Sequence, residues 1–410
     1  ARQVGKTWIM KTFGQQYFEK TAYVNFDNNA RMKQVFEGDL DIERLVLSIS
    51  AETGVSIEAE NTLIIFDEVQ EVPKALTSLK YFYENAPQYA IVAAGSLLGV
   101  ALHQGTSFPV GKVDFLDLYP LNFREFLCAM GEKQFVSMLD SCDTQMVTVF
   151  KTKYIERLRE YYFVGGMPEV VKDFSEKKDY NRVRAIQKNL INYYQQDFSK
   201  HAEIKLVPRL NLVWNSIPMQ LAKENKKYIY GQVREGSRAK DFELAIQWLL
   251  DCGLIHKVQR IQKPDLPLKA YIDFDAFKLF LVDIGLLIAM TDLDAKVIIE
   301  GNKIFTEFKG ALTEQYILQQ LISDVGVIPY YYSTQNSKGE IDFLVQGKTS
   351  VIPIEVKAEE NLKAKSLKAF CEKYQPSYAV RTSMSDYREQ DWMTNIPLYA
   401  VKWIKNYVNQ

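Results

Sequence analysis

The stretch NTLIIFDEVQEVP limits the possible folds more than any other part of the chain. Leu63 to Phe66 are four consecutive apolar residues closed by two acids, Asp67 and Glu68. Alternating residues would mark a strand with one wet face, whereas an unbroken run marks a strand covered on both faces, as in a parallel sheet between layers of helices. An α/β fold is therefore expected here. The acids then fall at the carboxyl end of the strand, the edge at which open α/β sheets bind ligands. A solvated acidic turn is an equally common reading of this segment taken alone.

A second segment changes that balance. Gly5-Lys6-Thr7 is followed by KTWIMKTFGQQYF, which has Trp8, Ile9, Phe13 and Tyr17 at helical spacing and no proline, so a helix is expected from about Thr7. A helix that starts at Lys-Thr points its free N–H groups and positive dipole end at a phosphate. The chain carries its own control, because Gly347-Lys348-Thr349 repeats the tripeptide between two alternating runs and reads as a hairpin turn. Gly5, Lys6 and Thr7 are thus expected to bind phosphate. The first glycine of G-x-x-x-x-G-K-S/T, and the strand before it, are expected upstream of Ala1.

The two segments divide the chemistry. Asp67 would hold a magnesium shell through water, since magnesium is a hard cation that takes oxygen ligands, and Glu68 would orient an attacking water. YAIVAAGSLLG reads as another buried strand, whose terminal Ser96 either sits beside the last phosphate or caps a helix.

Lysine plus arginine number 50 against 51 aspartates and glutamates, so no global field steers the chain toward nucleic acid or anionic lipid. The four cysteines and three histidines are scattered, which argues against zinc and against a disulfide framework. The longest apolar stretch, YAIVAAGSLLGVAL, is too short to span a bilayer, and a cytoplasmic protein with no membrane partner is expected. Oligomerisation is left open.

Beyond a helical stretch from about 151 to 200, two helices around Pro218 and Phe242 precede the strands LIHKVQRIQ and AFKLFLVD, the element order of a winged helix. Six basic residues between Lys223 and Lys240 face only Glu224 and Glu235, a surplus suited to DNA phosphates or simply to solvent. A helical spacer that meets a protein partner fits the same pattern.

In GEIDFLVQGKTSVIPIEVKA, strand alternation places Glu340 and Asp342 opposite the face of Ile341 and Phe343, and Glu355 and Lys357 opposite that of Ile354 and Val356. A turn centred on Lys348-Thr349 sets Asp342 across from Glu355, with β-carbons about 5 Å apart. Two facing acids repel, and a divalent cation would offset them while Lys357 polarises a water. An exposed, salt-bridged hairpin edge is the plain alternative. The pattern resembles the D…ExK arrangement of the restriction-endonuclease-like fold, and that resemblance implies Glu314, on a preceding helix, as a further ligand. Asp342, Glu355 and Lys357 would then be catalytic, and Glu314, Asp342 and Glu355 would hold magnesium.

RQVGKTW, LIIFDEVQ, AAGSLLG and FLDLYPLNFREFL together resemble the AAA-type ATPase domain of a large group of prokaryotic ATP-binding proteins. YYFVGGMPEVV, QDFSK and GALTEQYILQQL resemble the C-terminal region of unknown function joined to that domain. The resemblance implies ATP and Mg2+ as cofactors, with Lys6 and Thr7 on phosphate and metal, Asp67 and Glu68 as metal and water residues, and Ser96 as sensor. Arg124 reads as a surface helix position rather than an arginine finger. The expected order is an ATPase domain over 1–130, a helical linker over 131–200, a winged helix over 201–300 and a nuclease-like domain over 301–410. Its function would be ATP hydrolysis coupled to nucleic-acid binding. The rival reading is a nucleotide-gated protein-interaction module without nuclease chemistry.

Overall fold

A computed structural model describes residues 1–96, 99, 111–223, 226–300, 306–334, 339–360 and 364–410. The chain divides into two compact units, Ala1–Leu118 with Asp251–Leu254, and Tyr119–Leu250 with Ile255–Gln410. Apart from Asp251–Leu254, the regions expected as linker, winged helix and nuclease-like domain fall in the second.

The first unit contains α1 (Lys6–Tyr17), β1 (Lys20–Asn25), α2 (Ala30–Glu37), α3 (Ile42–Thr53), β2 (Thr62–Asp67), α4 (Pro73–Asn85) and β3 (Ala90–Ala94). Its sheet is parallel in the order β1-β2-β3, and all of β2 is buried. Ile64 and Phe66 face a core built with Phe26, Phe36, Leu45 and Leu76, whereas Leu63 and Ile65 face Met10 of α1. That division explains the unbroken apolar run, because each parity of β2 has its own layer of helix to pack against. Phe26, Phe36 and Phe66 meet edge to face with centroids 5.3–5.6 Å apart.

Helix α1 forms as expected but packs on a different face. Met10 and Gly14 are buried, while Trp8 is 71% exposed and Ile9, Phe13 and Tyr17 also lie outward. The cause is close approach: a β-carbon on Gly14 would stand 2.6 Å from Thr21 Oγ1 and 3.3 Å from Leu63 Cδ2. Only glycine lets α1 sit this close to β1 and β2.

The second unit begins with helices that include Phe123–Ala129, Lys151–Val164, Tyr180–His201, Val207–Leu221 and Ala239–Asp251. Pro218 is carried inside the fourth of these. Eight strands follow: β4 (Ile255–Ile261), β5 (Ile272–Leu281), β6 (Tyr330–Ser333), β7 (Glu340–Gln346), β8 (Val351–Val356), β9 (Val380–Ser383), β10 (Arg388–Gln390) and β11 (Met393–Pro397). They form one mixed sheet ordered β10-β11-β9-β8-β7-β6-β4-β5. The expected wing hairpin β4-β5 is thus part of the C-terminal sheet, joined to it where Arg260 and Ile261 pair with Tyr331 and Tyr332.

The β7–β8 register matches expectation, with Phe343 opposite Ile354 and Gln346 opposite Val351. Gly347-Lys348-Thr349 lies in the turn, closed by Gly347 N–H donating to Ser350 at 2.9 Å. Strict alternation in β7 fails, because its pairing with β6 shifts between Ile341 and Leu344. Both of those residues enter the same apolar cluster. Such a bulge re-aims the side chains around it, here including Asp342.

Candidate functional site

Parallel pairing aligns Asn25, Asp67 and Ala94 at one edge of the first sheet. Next to that edge, Gly5 precedes α1 with φ +92°, a conformation glycine adopts without strain. No side chain caps the helix start. The first N–H groups of α1 therefore remain available to an anion.

The structure brings the sequence-derived residues of this unit together. Thr7 Oγ1 donates to Asp67 Oδ2 at 2.6 Å, although the two lie sixty positions apart. Ser96 donates twice to Glu68, from its hydroxyl at 2.7 Å and its backbone N–H at 3.3 Å. Glu68 adopts φ +51°, and Gln70 Nε2 donates to its Oε2 at 2.7 Å. Lys6 Nζ donates to the carbonyl of Ala1.

Electrostatics agree with this geometry. Burial lowers the Lys6 pKa, against the opposing pull of Glu68 and Asp67. Burial would raise Glu68, but hydrogen bonds from Gln70 and Ser96 outweigh it and hold the carboxylate below its usual range. Asp67 and Thr7 are hard oxygen donors in contact, a set that fits a magnesium ion.

Tyr23 was not legible as a site residue. Its hydroxyl donates to Asp67 Oδ2 at 2.9 Å, and burial with that bond pushes its pKa to about 12. Lys11 Nζ stands 3.6 Å from the centre of its ring. The available signal was positional, since Tyr23 lies two residues before the end of the strand that flanks β2.

In the second unit the expected nuclease-like residues separate into two groups. Glu314, on the helix Thr306–Gln320, shares a hydrogen bond with Asp342 and pairs with Lys226. Lys278, fully buried on β5, pairs with Glu340 and lies 3.6 Å from the second Glu314 oxygen. Burial raises Asp342 to about 8, with Glu314 adding to the rise. Glu314 moves the other way, because Lys226 and Lys278 outweigh its burial. Glu355 belongs to the other group: its Oε1 pairs with Lys357 at 2.6 Å, and its Oε2 accepts the Leu367 N–H at 2.9 Å. Among the described residues, no three His, Cys, Asp or Glu gather as a cation site.

Sequence reasoning missed Lys226, Lys278 and Glu340. A lone lysine inside the apolar run AFKLFLVD was the signal for Lys278. Arg124 binds Asp140 at 2.6 Å and Asp324 at 3.1 Å.

Residues 1–127 match the AAA domain family. This match supports a P-loop ATPase-type protein and coincides with the segment that carries Lys6, Thr7, Asp67, Glu68 and Ser96. Residues 155–297 match a domain of unknown function (DUF8612), and residues 309–401 match another (DUF4143). No curated protein and no solved structure matches the chain. No helix among the described residues is long and apolar enough to cross a membrane.

Proposed function

We propose that the first unit binds ATP with Mg2+ at the carboxyl edge of β1-β2-β3 and hydrolyses it. The observation that carries this reading is the 2.6 Å hydrogen bond from Thr7 to Asp67, beside a Glu68 held by Ser96 and Gln70. Lys6 and the uncapped N–H groups of α1 would take the phosphates, and Thr7 with Asp67 would hold the metal. When bound, the metal supplies charge neutralisation on the phosphate oxygens. Glu68, fixed by its three donors, would orient the attacking water, and its depressed pKa keeps it an acceptor at neutral pH. Ser96 would lie beside the terminal phosphate once its hydroxyl leaves Glu68.

For the output of that cycle, the interaction-module reading is favoured over nuclease chemistry. Glu355 and Lys357, two of the three residues expected to be catalytic with Asp342, are bound to each other, and Glu355 also holds the start of the helix Lys365–Tyr374. ATP turnover would then switch how the protein engages a partner.

The test is phosphate release from Mg-ATP by the full chain, with and without duplex DNA. Lys6→Ala should abolish nucleotide binding, and Glu68→Gln should retain binding while hydrolysis falls by about 100-fold or more. Wild-type turnover in either variant refutes the assignment. Stimulation by DNA would return the reading to nucleic-acid coupling.

A further inference from the structure

The nuclease-like resemblance implies a divalent cation among Glu314, Asp342 and Glu355, so the question is whether these side chains can accept one. Glu355 is spent on Lys357 and on the Leu367 N–H. Asp342 Oδ2 accepts the Val356 N–H at 2.7 Å. Glu314 gives one oxygen to Lys226, and its other oxygen, buried without a hydrogen-bond partner, faces the Lys278 ammonium at 3.6 Å. Each expected ligand already has a fixed donor.

Lys278 decides the matter. Its side chain is 0% exposed, it lies between Phe277 and Leu279 on β5, and its ammonium stands 4.8 Å from the centre of the Tyr331 ring. A buried ammonium is tolerated only where carboxylates surround it, since desolvation alone would discharge it. Glu314, Glu340 and Asp342 surround this one, and their pull outweighs its burial. Lys226 pairs with Glu314, and Lys278 lies between Glu314 and Glu340, so two ammonium groups already stand among the carboxylates where a divalent ion would have to sit. A divalent ion would have to displace them, and Lys278 has no aqueous surface toward which to withdraw.

We infer that Lys278, together with Lys226, permanently occupies the cation position of this cluster, so that Glu314 and Asp342 bind no divalent metal and support no metal-dependent phosphodiester cleavage. The lysines make the site an ion-paired brace that ties β5 and the segment before Tyr228 to β7 and the helix Thr306–Gln320. This inference is independent of the ATPase reading, which concerns the other unit.

Manganese titration of the nucleotide-free full chain, followed by electron paramagnetic resonance, tests it. Wild type, Asp342→Asn and Glu314→Gln should take up the same amount of Mn2+. Lys278→Gln removes the internal cation, so its melting temperature should fall, and millimolar Mn2+ should recover part of the loss while leaving the wild-type value unchanged. Lys226→Gln, at a less buried position, provides the same comparison should Lys278→Gln not fold. Wild-type Mn2+ binding that is lost in Asp342→Asn would overturn the inference. So would a lysine variant whose stability is unaltered and that gains no Mn2+ binding.

Discussion

The bond between Thr7 and Asp67 can be weighed by a double-mutant cycle. Three donors converge on the Asp67 carboxylate: Thr7 Oγ1 at 2.6 Å, Tyr23 OH at 2.9 Å and the Glu68 N–H at 3.1 Å. A hydrogen bond to an ionised acceptor contributes about 1.5–3 kcal/mol, and a donor left buried without a partner costs about 1–3 kcal/mol. Two effects reduce the sum. Thr7 and Tyr23 are half-buried and can turn to water, and removing a carboxylate that is 3% exposed relieves its desolvation. The expected destabilisation is ~2–3 kcal/mol for Asp67→Ala and ~1 kcal/mol for Thr7→Ala. Because the residues share one bond, the double variant should lose ~1 kcal/mol less than the sum of the two. Native-state hydrogen exchange on peptides covering β1, β2 and β3, without nucleotide, reads this unit separately from the rest of the chain. A coupling energy below about 0.5 kcal/mol would refute the claim that the start of α1 and the end of β2 form one site.

Gly14→Ala should force α1 off the sheet, because the new β-carbon meets Thr21 Oγ1 at 2.6 Å and Leu63 Cδ2 at 3.3 Å. A loss of ~1–3 kcal/mol and a weaker ATP affinity are expected, and hydrogen exchange of α1 together with nucleotide titration would detect them. Asp283, fully buried, accepts the Gly166 and Leu286 N–H groups, and burial pushes its pKa to about 6. Its folded pKa lies above its unfolded value near 4, so folding takes up a proton between pH 4 and 6 and stability from this group falls as pH rises through that window. The wild-type stability minus that of Asp283→Asn should therefore decrease by at most ~3 kcal/mol between pH 4 and 6.5, as measured by urea unfolding. An unchanged difference would show that Asp283 keeps an ordinary pKa.

What was legible in the sequence was local. Leu63 to Phe66 announced a strand with two covered faces, and the turn at Lys348-Thr349 was enough to set the β7–β8 register, because a hairpin's turn determines its pairing. Sheet membership was not legible in the same way. LIHKVQRIQ and AFKLFLVD read correctly as strands, but their attachment to β6 rests on contacts at Tyr331 and Tyr332, some seventy residues beyond Arg260 and Ile261. No short-range pattern records such a pairing. The outward stripe of α1 misled for a related reason: apolar spacing identifies a helix, whereas a close approach at Gly14 chose its packing face.

The two acidic clusters use the same residue types and reach opposite electrostatic outcomes. In the first unit the partners of Asp67 are two hydroxyls and a backbone N–H, all neutral, and Lys6 donates its bond to a carbonyl. The negative charge there is held in place but left unbalanced by its hydrogen-bond partners, and a hydroxyl such as Thr7 can rotate to present a lone pair to a metal. In the second unit the partners of Glu314 and Glu340 are ammonium groups, one of them without access to water. Their charge is already spent. Buried carboxylates therefore point to a metal site only where their hydrogen-bond partners are neutral, and by that criterion Asp67 qualifies and Glu314 does not. Exchanging the character of the partner should exchange the behaviour, which is why Lys278→Gln is expected to create cation binding in the second unit.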